Sequence, residues 1–422
     1  MPSAAPSTDP RHDGDTAAAL SLLSAAAVRS RVHTILAEGI AGRLTCLRVD
    51  PARLEDAAAL TAAVTLRAYP TLEIPFHSRW RHFVIAGTDR WSALANPVAW
   101  PSPAARARAE CDLAIVSVLL DAGAGSAWRW HDAVLGRGIA RSEGLALASL
   151  AMFADGAFSA VAADPFRADA ARLVELDSAA LAAGFRAGPD NPLTGLDGRA
   201  ALLRRLGATV ASAPSVFGGR DAPRPGGLFD HLAGLASGGR IGAATVLAEV
   251  LRHLGPVWPA RLTLGGIPLG DCWRHPAVRR GDASDGLVPF HKLSQWLTYS
   301  LIEPLERGGL TVTGIDDLTG LAEYRNGGLL LDTGVLALRD PADAAAEHDP
   351  GSPLIVEWRA LTVALLDRLA VLVRERLGRG AAELPLARIL QGGTWAAGRA
   401  IASERREGGA PPLKVKSDGT VF

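Results

Sequence analysis

The sequence has few cysteines and no excess of charge of either sign. The three cysteines, Cys46, Cys111 and Cys272, are far apart among 422 residues and cannot all pair. This argues against a disulfide framework and predicts a reducing compartment, the cytoplasm. Lys plus Arg and Asp plus Glu both number 44, so the net charge is zero. A balanced chain is not expected to bind nucleic acid or an anionic membrane through its overall charge.

Long apolar runs and standard hydrolase motifs are also missing. The longest apolar stretch, residues 361–373, is interrupted by Asp367 and Arg368, so no segment reaches the roughly 20 apolar residues that span a bilayer. Residues 1–15 lack the pattern of a signal peptide and are predicted to be a disordered lead-in. Because the motifs G-x-S-x-G, H-E-x-x-H and the P-loop are absent, we expect catalysis by carboxylates, histidine and arginine.

Alanine, leucine and arginine dominate the composition, and these residues favour helices. Apolar residues recur at helical spacing in many segments, for example in residues 16–38 and 386–405. Clear strands are scarce, although residues 328–339 have the pattern of a small β hairpin. The sequence therefore predicts a mainly α fold with at most a small β hairpin.

The domain organisation is predicted from the few breaks in this helical pattern. Residues 16–422 are expected to form a single compact helical catalytic unit. The glycine-rich and proline-rich stretch at 218–227 is the candidate boundary if the unit has two lobes. Those lobes would comprise residues 16–217 and 228–422.

A basic segment, IPFHSRWRHFVIAGTDR, is the first candidate binding element. Arg79 and Arg81 flank Trp80, and such cations beside an aromatic ring suit an anion such as a phosphate. The alternative is a solvated basic loop in which Trp80 is a packing anchor.

A glycine-rich segment beginning at Asp121, DAGAGSAWRW, is the second candidate element. Its glycines permit a backbone to approach a ligand closely, and Arg141 and Glu143 follow it. No phosphate-loop signature accompanies these glycines. A helix end followed by an aromatic-rich turn is the alternative.

Two further segments are weaker candidates. Cys272 and His275 in GDCWRHP have the spacing of zinc ligands, but no second pair exists, so we predict a turn or a pocket wall and no metal site. The C-terminal KVKSDGTVF, residues 414–422, is either an unstructured tail or a loop that touches the ligand.

The strongest candidate element is the helix that follows LVPFH. His291 and Gln295 are four residues apart and share a helix face, and Lys292 and Trp296 lie beside that face. An apolar helix that carries these polar groups near its start must provide partners for them, and a ligand is one kind of partner.

A carboxylate, a phenol and a guanidinium follow together at Glu323, Tyr324 and Arg325. This combination suits a catalytic carboxylate with substrate-binding neighbours. The alternative is an ion pair of Arg325 with Glu323 or Asp317 at a helix end.

These segments resemble a known family, the uracil-catabolism protein four or Urg3-like family, long described as a domain of unknown function. The resemblance covers about Leu22 to Phe422 and includes IPFHSRWRHF, DAGAGSAWRW, LGDCWRHP, VPFHKLSQWLTYSLIEPL and LTGLAEYRNGGLLLDTGVL. It implies a role in a uracil-degrading route, in which uracil becomes a ribosyl phosphate and ends as urea plus a small acid.

The segments VPFHKLSQWL, LTGLAEYRNGG and EWRALTVALLDRL also resemble the queuosine-salvage N-glycosidases. That resemblance implies a helical, DNA-glycosylase-like two-lobed fold and cleavage of an N-ribosidic bond. Lys292 and Gln295 match polar positions of that family, and Tyr324 and Arg325 match its tyrosine and arginine. Glu323 stands where that family has an aspartate, so the side chain is longer by one methylene.

The two resemblances together predict an N-ribosyl hydrolase without metal or cofactor. The substrate would be a small ribosylurea-like 5′-phosphate, and a homo-oligomer is compatible with the sequence. Glu323 is the predicted catalytic carboxylate, and His291 or Asp121 the proton donor. We expect the other site residues to bind the substrate: Arg79, Trp80, Arg81, Arg141, Glu143, Lys292, Gln295, Trp296, Tyr324 and Arg325.

Two other functions remain open from the sequence. One is hydrolysis of an amide or ureido C–N bond in the opened pyrimidine ring, which requires a metal or a nucleophile with an oxyanion site. The other is a non-catalytic protein that binds a pathway intermediate. Convergence of the candidate segments on one site is itself a prediction.

Overall fold

A computed structural model describes residues 10–121, 123–219, 222–259 and 261–416. Helices make up 56% of the structure, which confirms the predicted mainly α class. The likeness to DNA glycosylases stays a prediction.

Sixteen α-helices lie within the described residues. In chain order they are α1 (Pro10–Leu22), α2 (Ala25–Ile40), α3 (Leu54–Ala68), α4 (Arg90–Ala95), α5 (Pro103–Leu119), α6 (Arg141–Ala154), α7 (Ala170–Glu175), α8 (Ser178–Gly184), α9 (Leu196–Ser212), α10 (Leu228–Leu235), α11 (Ala243–Leu254), α12 (Lys292–Arg307), α13 (Tyr324–Asp332), α14 (Pro353–Leu377), α15 (Leu386–Ile389) and α16 (Trp395–Arg405).

Short strands in the same part of the chain form seven two-stranded pairs, five antiparallel and two parallel. They are β1 (Leu47–Val49), β2 (Val84–Ile85), β3 (Thr88–Asp89), β4 (Trp130–Asp132), β5 (Arg137–Ile139), β6 (Arg240–Gly242), β7 (Thr263–Leu264), β8 (Ile267–Pro268), β9 (Cys272–Arg274), β10 (Leu287–Pro289), β11 (Thr311–Thr313), β12 (Leu336–Leu338), β13 (Glu347–His348) and β14 (Lys414–Val415). The pairs are β1–β12, β2–β3, β4–β5, β6–β11, β7–β8, β9–β10 and β13–β14.

The described chain forms two compact units, and both are discontinuous in sequence. Unit 1 comprises residues 10–73, 259–292 and 319–416, and unit 2 comprises residues 74–258 and 293–318, apart from the gaps given above. These bounds differ from those of the two lobes suggested by the sequence. The single catalytic unit stays a prediction.

Unit 1 is built around the 25-residue helix α14, which packs against α2, α3 and α13. Most of α14 is buried, as expected for an apolar helix at the centre of a core. Its Glu357 carboxylate accepts backbone hydrogen bonds from Cys46 (3.1 Å) and Leu47 (2.9 Å) at the start of β1. These bonds satisfy a buried charge and fix β1 beside the helix.

Unit 2 contains the apolar helix α5, buried over most of its length, packed against α6 and α10. The fully buried Glu110 of α5 accepts hydrogen bonds from Trp91 Nε1 (2.8 Å), Arg106 (2.9 Å) and Arg307 (2.7 Å). Trp91 lies on α4, Arg106 on α5 and Arg307 on α12, so this one carboxylate joins three helices.

Several sequence-based element assignments need correction. The predicted hairpin at 328–339 is wrong: its first half is the end of α13, and β12 pairs with the distant β1. The predicted helix at 16–38 is divided because Ser24 caps a second helix by accepting a bond from Ala27 N. The helix at 386–405 is divided by a π-helical turn over Leu390–Thr394.

The two ends of the chain are only partly described. Helix α1 begins at Pro10, so residues 10–15, assigned to the lead-in, are helical, and residues 1–9 lie outside the described residues. Of the C-terminal segment, Lys414–Val415 is a strand, and 417–422 lie outside the described residues. In the part of the chain that the structure describes, no helix is both long enough and apolar enough to cross a bilayer.

Candidate functional site

Glu323 is the residue immediately before helix α13, and its carboxylate is fixed there by two backbone N–H groups. It accepts hydrogen bonds from Arg325 N at 2.7 Å and Asn326 N at 2.6 Å. Only 8% of the residue is exposed. Burial raises the pKa of Glu323, while these bonds and the charges of Lys292 and Arg325 act in the opposite direction. The carboxylate therefore has a fixed orientation and little room to turn.

The residues that follow Glu323 leave polar atoms unsatisfied. Arg325 donates from Nη1 to Gly409 O at 2.8 Å, and its guanidinium lies 4.8 Å from the centre of the Tyr324 ring. The buried atoms Arg325 Nε and Asn326 Oδ1 have no hydrogen-bond partner among the described residues. Such buried groups usually have a partner in a functional protein, so a ligand or a water is expected here.

His291 lies between β10 and helix α12, and Lys292 is the first residue of α12. His291 adopts φ +49°, a left-handed conformation that costs a residue with a Cβ about 1–2 kcal/mol. It is buried, and its Nε2 lies 2.9 Å from Leu22 O. A carbonyl oxygen only accepts, so Nε2 carries the proton. Burial lowers the pKa of His291, which favours the neutral ring with Nδ1 as an acceptor.

A buried ion pair between Arg359 and Asp271 stabilises this segment. Arg359 of α14 donates to both carboxylate oxygens of Asp271, at 2.8 and 2.7 Å. Asp271 also accepts from Trp273 Nε1 at 2.7 Å and from Lys292 N at 3.1 Å. Burial acts to raise the pKa of Asp271, but the Arg359 charge and these hydrogen bonds overcome it and hold the pKa well below its usual range. Asp271 and Arg359 therefore position the backbone that presents Lys292.

In unit 2, Arg79 is fully buried at the start of a 3₁₀ turn over Arg79–Phe83. Its Nε donates to Ser117 Oγ at 2.7 Å, and its Nη1 lies 3.2 Å from Asp121 Oδ1 and donates to His82 Nδ1 at 3.2 Å. Its Nη2 has no hydrogen-bond partner among the described residues. Burial lowers the pKa of Arg79, and the Asp121 charge opposes this.

Trp296 and His82 lie beside this guanidinium. The Trp296 ring centre is 5.7 Å from the Arg79 guanidinium carbon and 5.8 Å from the His82 ring centre. The buried Trp296 Nε1, like Arg79 Nη2, lacks a hydrogen-bond partner in the described chain. Burial, with the Arg79 charge, lowers the pKa of His82 to about 3, and the Glu143 charge acts in the opposite direction. Two buried donors without acceptors are what an anion or a carbonyl group requires.

Two other predicted binding residues of unit 2, Trp80 and Arg81, donate hydrogen bonds within the unit. Trp80 is buried and donates from Nε1 to Ser300 O at 2.7 Å, as expected of a packing anchor. Arg81 Nη2 donates to both oxygens of Glu303, at 2.8 and 2.7 Å. Gln295 is buried in α12. Arg141 begins α6 with φ +58°, a second strained position among the predicted site residues.

The structure thus places eight of the thirteen predicted site residues in two groups, one in each unit. The Glu323 group consists of Glu323, Lys292, Tyr324 and Arg325. The Arg79 group consists of Arg79, Asp121, Glu143 and Trp296, together with His82, which the sequence had not singled out. That both groups act on one substrate stays a prediction. Sequence reasoning missed Arg359 and its pairing with Asp271, although the motif EWRAL contained the signal: a polar pair in an apolar helix.

The segment GDCWRHP, for which the sequence predicted a turn or a pocket wall, includes strand β9. Cys272 is buried in β9, and His275 faces Glu357, with 3.4 Å between Nε2 and Oε1. Among the described residues, a different group of three side chains has the donor atoms that could bind a metal ion: His231 on α10, and Glu249 and His253 on α11.

The fold and these two groups define a mainly helical protein with a fixed buried carboxylate in unit 1 and a buried guanidinium in unit 2. Residues 21–422 match the family described as a protein of unknown function, DUF1688. The chain is 40% identical over 414 residues to "Protein urg3" of Schizosaccharomyces pombe, with 95% of this chain and 98% of the relative covered. It is 36% identical over 409 residues to "Uracil catabolism protein 4" of Lachancea kluyveri, with 89% and 92% covered. The chain belongs to this family, as the sequence predicted.

Proposed function

We propose that this protein acts in uracil catabolism and hydrolyses the N-ribosidic bond of a ribosylurea-like 5′-phosphate to urea and ribose phosphate. The pathway is supported by the name of the relative "Uracil catabolism protein 4". The observation that carries the reaction is the buried carboxylate of Glu323, held by two backbone N–H groups at the start of α13.

Cleavage of the C1′–N bond proceeds through an oxocarbenium-like state, and a fixed carboxylate stabilises its positive charge. In the proposal, Glu323 is that carboxylate. A water oxygen adds to C1′ as the C1′–N bond breaks, the bond electrons go to the urea nitrogen, and a proton must reach that nitrogen. Because Glu323 is already oriented by its own helix, it needs no rearrangement as the charge develops.

For the leaving-group proton the sequence suggested His291 or Asp121. A neutral His291 whose Nε2–H is donated to Leu22 O can accept a proton at Nδ1 but has none to give there. This arrangement suits removal of a proton from the attacking water. Asp121 is engaged in an ion pair with the Arg79 guanidinium. Lys292, whose charge acts on Glu323, is therefore the donor that we favour.

The Arg79 group supplies the chemistry of an anion or ureido subsite. Arg79 Nη2 and Trp296 Nε1 are buried donors that lack acceptors, and a phosphate or a ureido oxygen would satisfy both. The flat Trp296 ring offers a surface for a planar ureido group. Arg81, Arg141, Glu143, Gln295, Tyr324 and Arg325 remain proposed binding residues.

The test is release of urea from ribosylurea 5′-phosphate by the purified protein, with Glu323→Gln compared. Glutamine keeps one oxygen to accept a backbone bond and loses only the charge. We expect it to lower the rate by about 10²- to 10⁴-fold, or roughly 3–5 kcal/mol. Glu404→Gln is the matched control, because Glu404 is an exposed carboxylate on α16 of the same unit.

Full activity of Glu323→Gln would contradict the assignment of the carboxylate. Failure of the wild-type protein to release urea while binding the compound would favour a non-catalytic role in the pathway. A Trp296→Phe variant, which lacks the indole N–H, should raise KM without unfolding the protein if the Arg79 group binds substrate.

Hydrolysis of an amide or ureido C–N bond is the second candidate, and the cluster of His231, Glu249 and His253 is the observation that favours it. A metal held by these three residues would supply an activated water for that reaction. Activity abolished by chelation and restored by metal would support it, whereas N-ribosyl hydrolysis survives chelation. We also propose a cytoplasmic location, where the three free cysteines stay reduced.

A further inference from the structure

Three side chains with metal-binding atoms meet in unit 2, apart from both groups described above. His231 lies on α10, and Glu249 and His253 lie one turn apart on α11. The two histidine Nε2 atoms are 2.6 Å and 3.1 Å from the same carboxylate oxygen, Glu249 Oε2. All the candidate ligand atoms lie within 4.8 Å of one another.

We propose that His231, Glu249 and His253 form a binding site for a divalent first-row transition metal, with Zn²⁺ as the reference ion. The ligand atoms are Nε2 of each histidine and Oε2 of Glu249. Three protein ligands leave at least one coordination position for water or another ligand.

The donor set determines the class of ion. Two imidazole nitrogens and one carboxylate oxygen suit zinc or ferrous iron, whereas magnesium and calcium prefer oxygen ligands. The geometry requires only a small adjustment: tetrahedral sites with bonds of about 2.0–2.2 Å separate neighbouring ligand atoms by roughly 3.3–3.5 Å. His231 Nε2, now 2.6 Å from Oε2, therefore has to move away by roughly 0.7–0.9 Å, and His253 Nε2, now 3.1 Å away, by roughly 0.2–0.4 Å.

The surroundings allow that adjustment and admit an ion. The exposed fractions of the His231 and His253 side chains are 22% and 20%, and that of Glu249 is 8%. The site is thus shielded yet reachable from solvent. Arg252 lies 3.1 Å from the other carboxylate oxygen, Oε1, and 64% of its side chain is exposed. It can stay on Oε1 or move into solvent, so Oε2 remains available.

The site joins two elements that are distant in sequence. His231 precedes Glu249 by 18 residues, and His253 follows Glu249 by four. An ion at this position links α10 to α11, because its bonds reach both helices. The sequence analysis did not identify these three residues, because their spacing matches no standard zinc motif.

The experiment is a titration of the full chain, with any affinity tag removed, by Zn²⁺ and then by Co²⁺ after chelation of resident metal. We expect one equivalent bound per chain, a Co²⁺ absorption spectrum typical of tetrahedral coordination, and a rise in Tm of roughly 5 °C at saturation. His231→Gln and His253→Gln should each weaken binding by at least about 100-fold, since each removes a direct ligand.

His131→Gln is the matched control, because His131 is an exposed histidine of unit 2 on β4. It should bind the metal as the wild-type protein does. Two independent histidine variants keep the test informative if one of them folds poorly. The proposal is overturned if the chelated wild-type protein binds no metal, or if both variants bind it as tightly as the wild-type protein. Neither result depends on the proposed N-ribosyl hydrolysis.

Discussion

The buried pair of Arg359 and Asp271 gives a prediction of stability that can be worked from the structure. We consider Asp271→Asn, which preserves the shape of the side chain and removes its charge. Arg359 is 1% exposed and Asp271 15% exposed, so the arginine is left without its counterion in a place that water scarcely reaches. The asparagine amide, a donor, also faces the donors of Arg359 where a carboxylate oxygen had accepted them.

Removal of one partner from a buried ion pair typically costs 3–5 kcal/mol. Two features place the expected loss for this pair near the lower end of that range. The slight exposure of Asp271 admits some solvent, and the Arg359 guanidinium keeps its contact with the Phe290 ring, 4.2 Å away. We therefore expect a loss of about 3 kcal/mol, which is roughly a 100-fold change in the unfolding equilibrium of unit 1.

The assay is urea-induced unfolding followed by circular dichroism, with Glu38→Gln as the control. Arg43 donates to both oxygens of Glu38, at 2.6 and 2.7 Å, which is the same two-bond geometry in the same unit. However, 61% of the Arg43 side chain and 29% of the Glu38 side chain are exposed. Because exposed pairs contribute little, the Glu38 variant should lower the unfolding midpoint far less. Equal losses in the two variants would refute the argument that burial sets the cost.

Two further predictions concern protonation and backbone strain. The pKa of His82, about 3 in the folded protein, is below its unfolded value of about 6.5. The unfolded state therefore binds the extra proton, and stability is lost as pH falls from about 6.5 towards 3. His82→Gln should flatten the dependence of Tm on pH in that range, and an unchanged slope would contradict this prediction. Arg141 adopts φ +58°, which glycine tolerates without strain. Arg141→Gly should therefore leave Tm unchanged or raise it, while KM for the substrate increases. A lowered Tm with an unchanged KM would show that the residue is structural only.

The sequence predicts those parts of the fold that depend on local pattern. The helix periodicity of residues 142–154 and 355–377 corresponds to α6 and α14. The hairpin at 328–339 failed because the leucines of this segment satisfy both a strand and a helix pattern. The choice is made by Glu323, whose carboxylate caps α13, and by a partner strand nearly 300 residues away, β1. Such long-range pairing leaves no trace in a window of ten residues.

The candidate site divides in the same way. Residue types identified Glu323, Lys292 and Arg79, because polar groups in apolar segments are recognisable from the sequence. Pairs of residues that are distant along the chain are not recognisable in this way: Asp271 is 88 residues from Arg359, and Glu249 is 18 from His231. Only folding brings such residues within hydrogen-bond distance.

The two buried arginines differ in how completely the described residues satisfy their donors. Arg359 directs both terminal nitrogens at the Asp271 carboxylate, so this pair stabilises the segment that carries Lys292. Arg79 is equally buried, but its Nη2 lacks a hydrogen-bond partner among the described residues, as does the neighbouring Trp296 Nε1. An unsatisfied buried donor costs about 1–3 kcal/mol, and two of them beside one another are best explained by a ligand that satisfies both. A buried donor that gains its partner only on binding contributes directly to affinity, and this is the physical reason why the proposal gives substrate binding to Arg79 and a supporting role to Arg359.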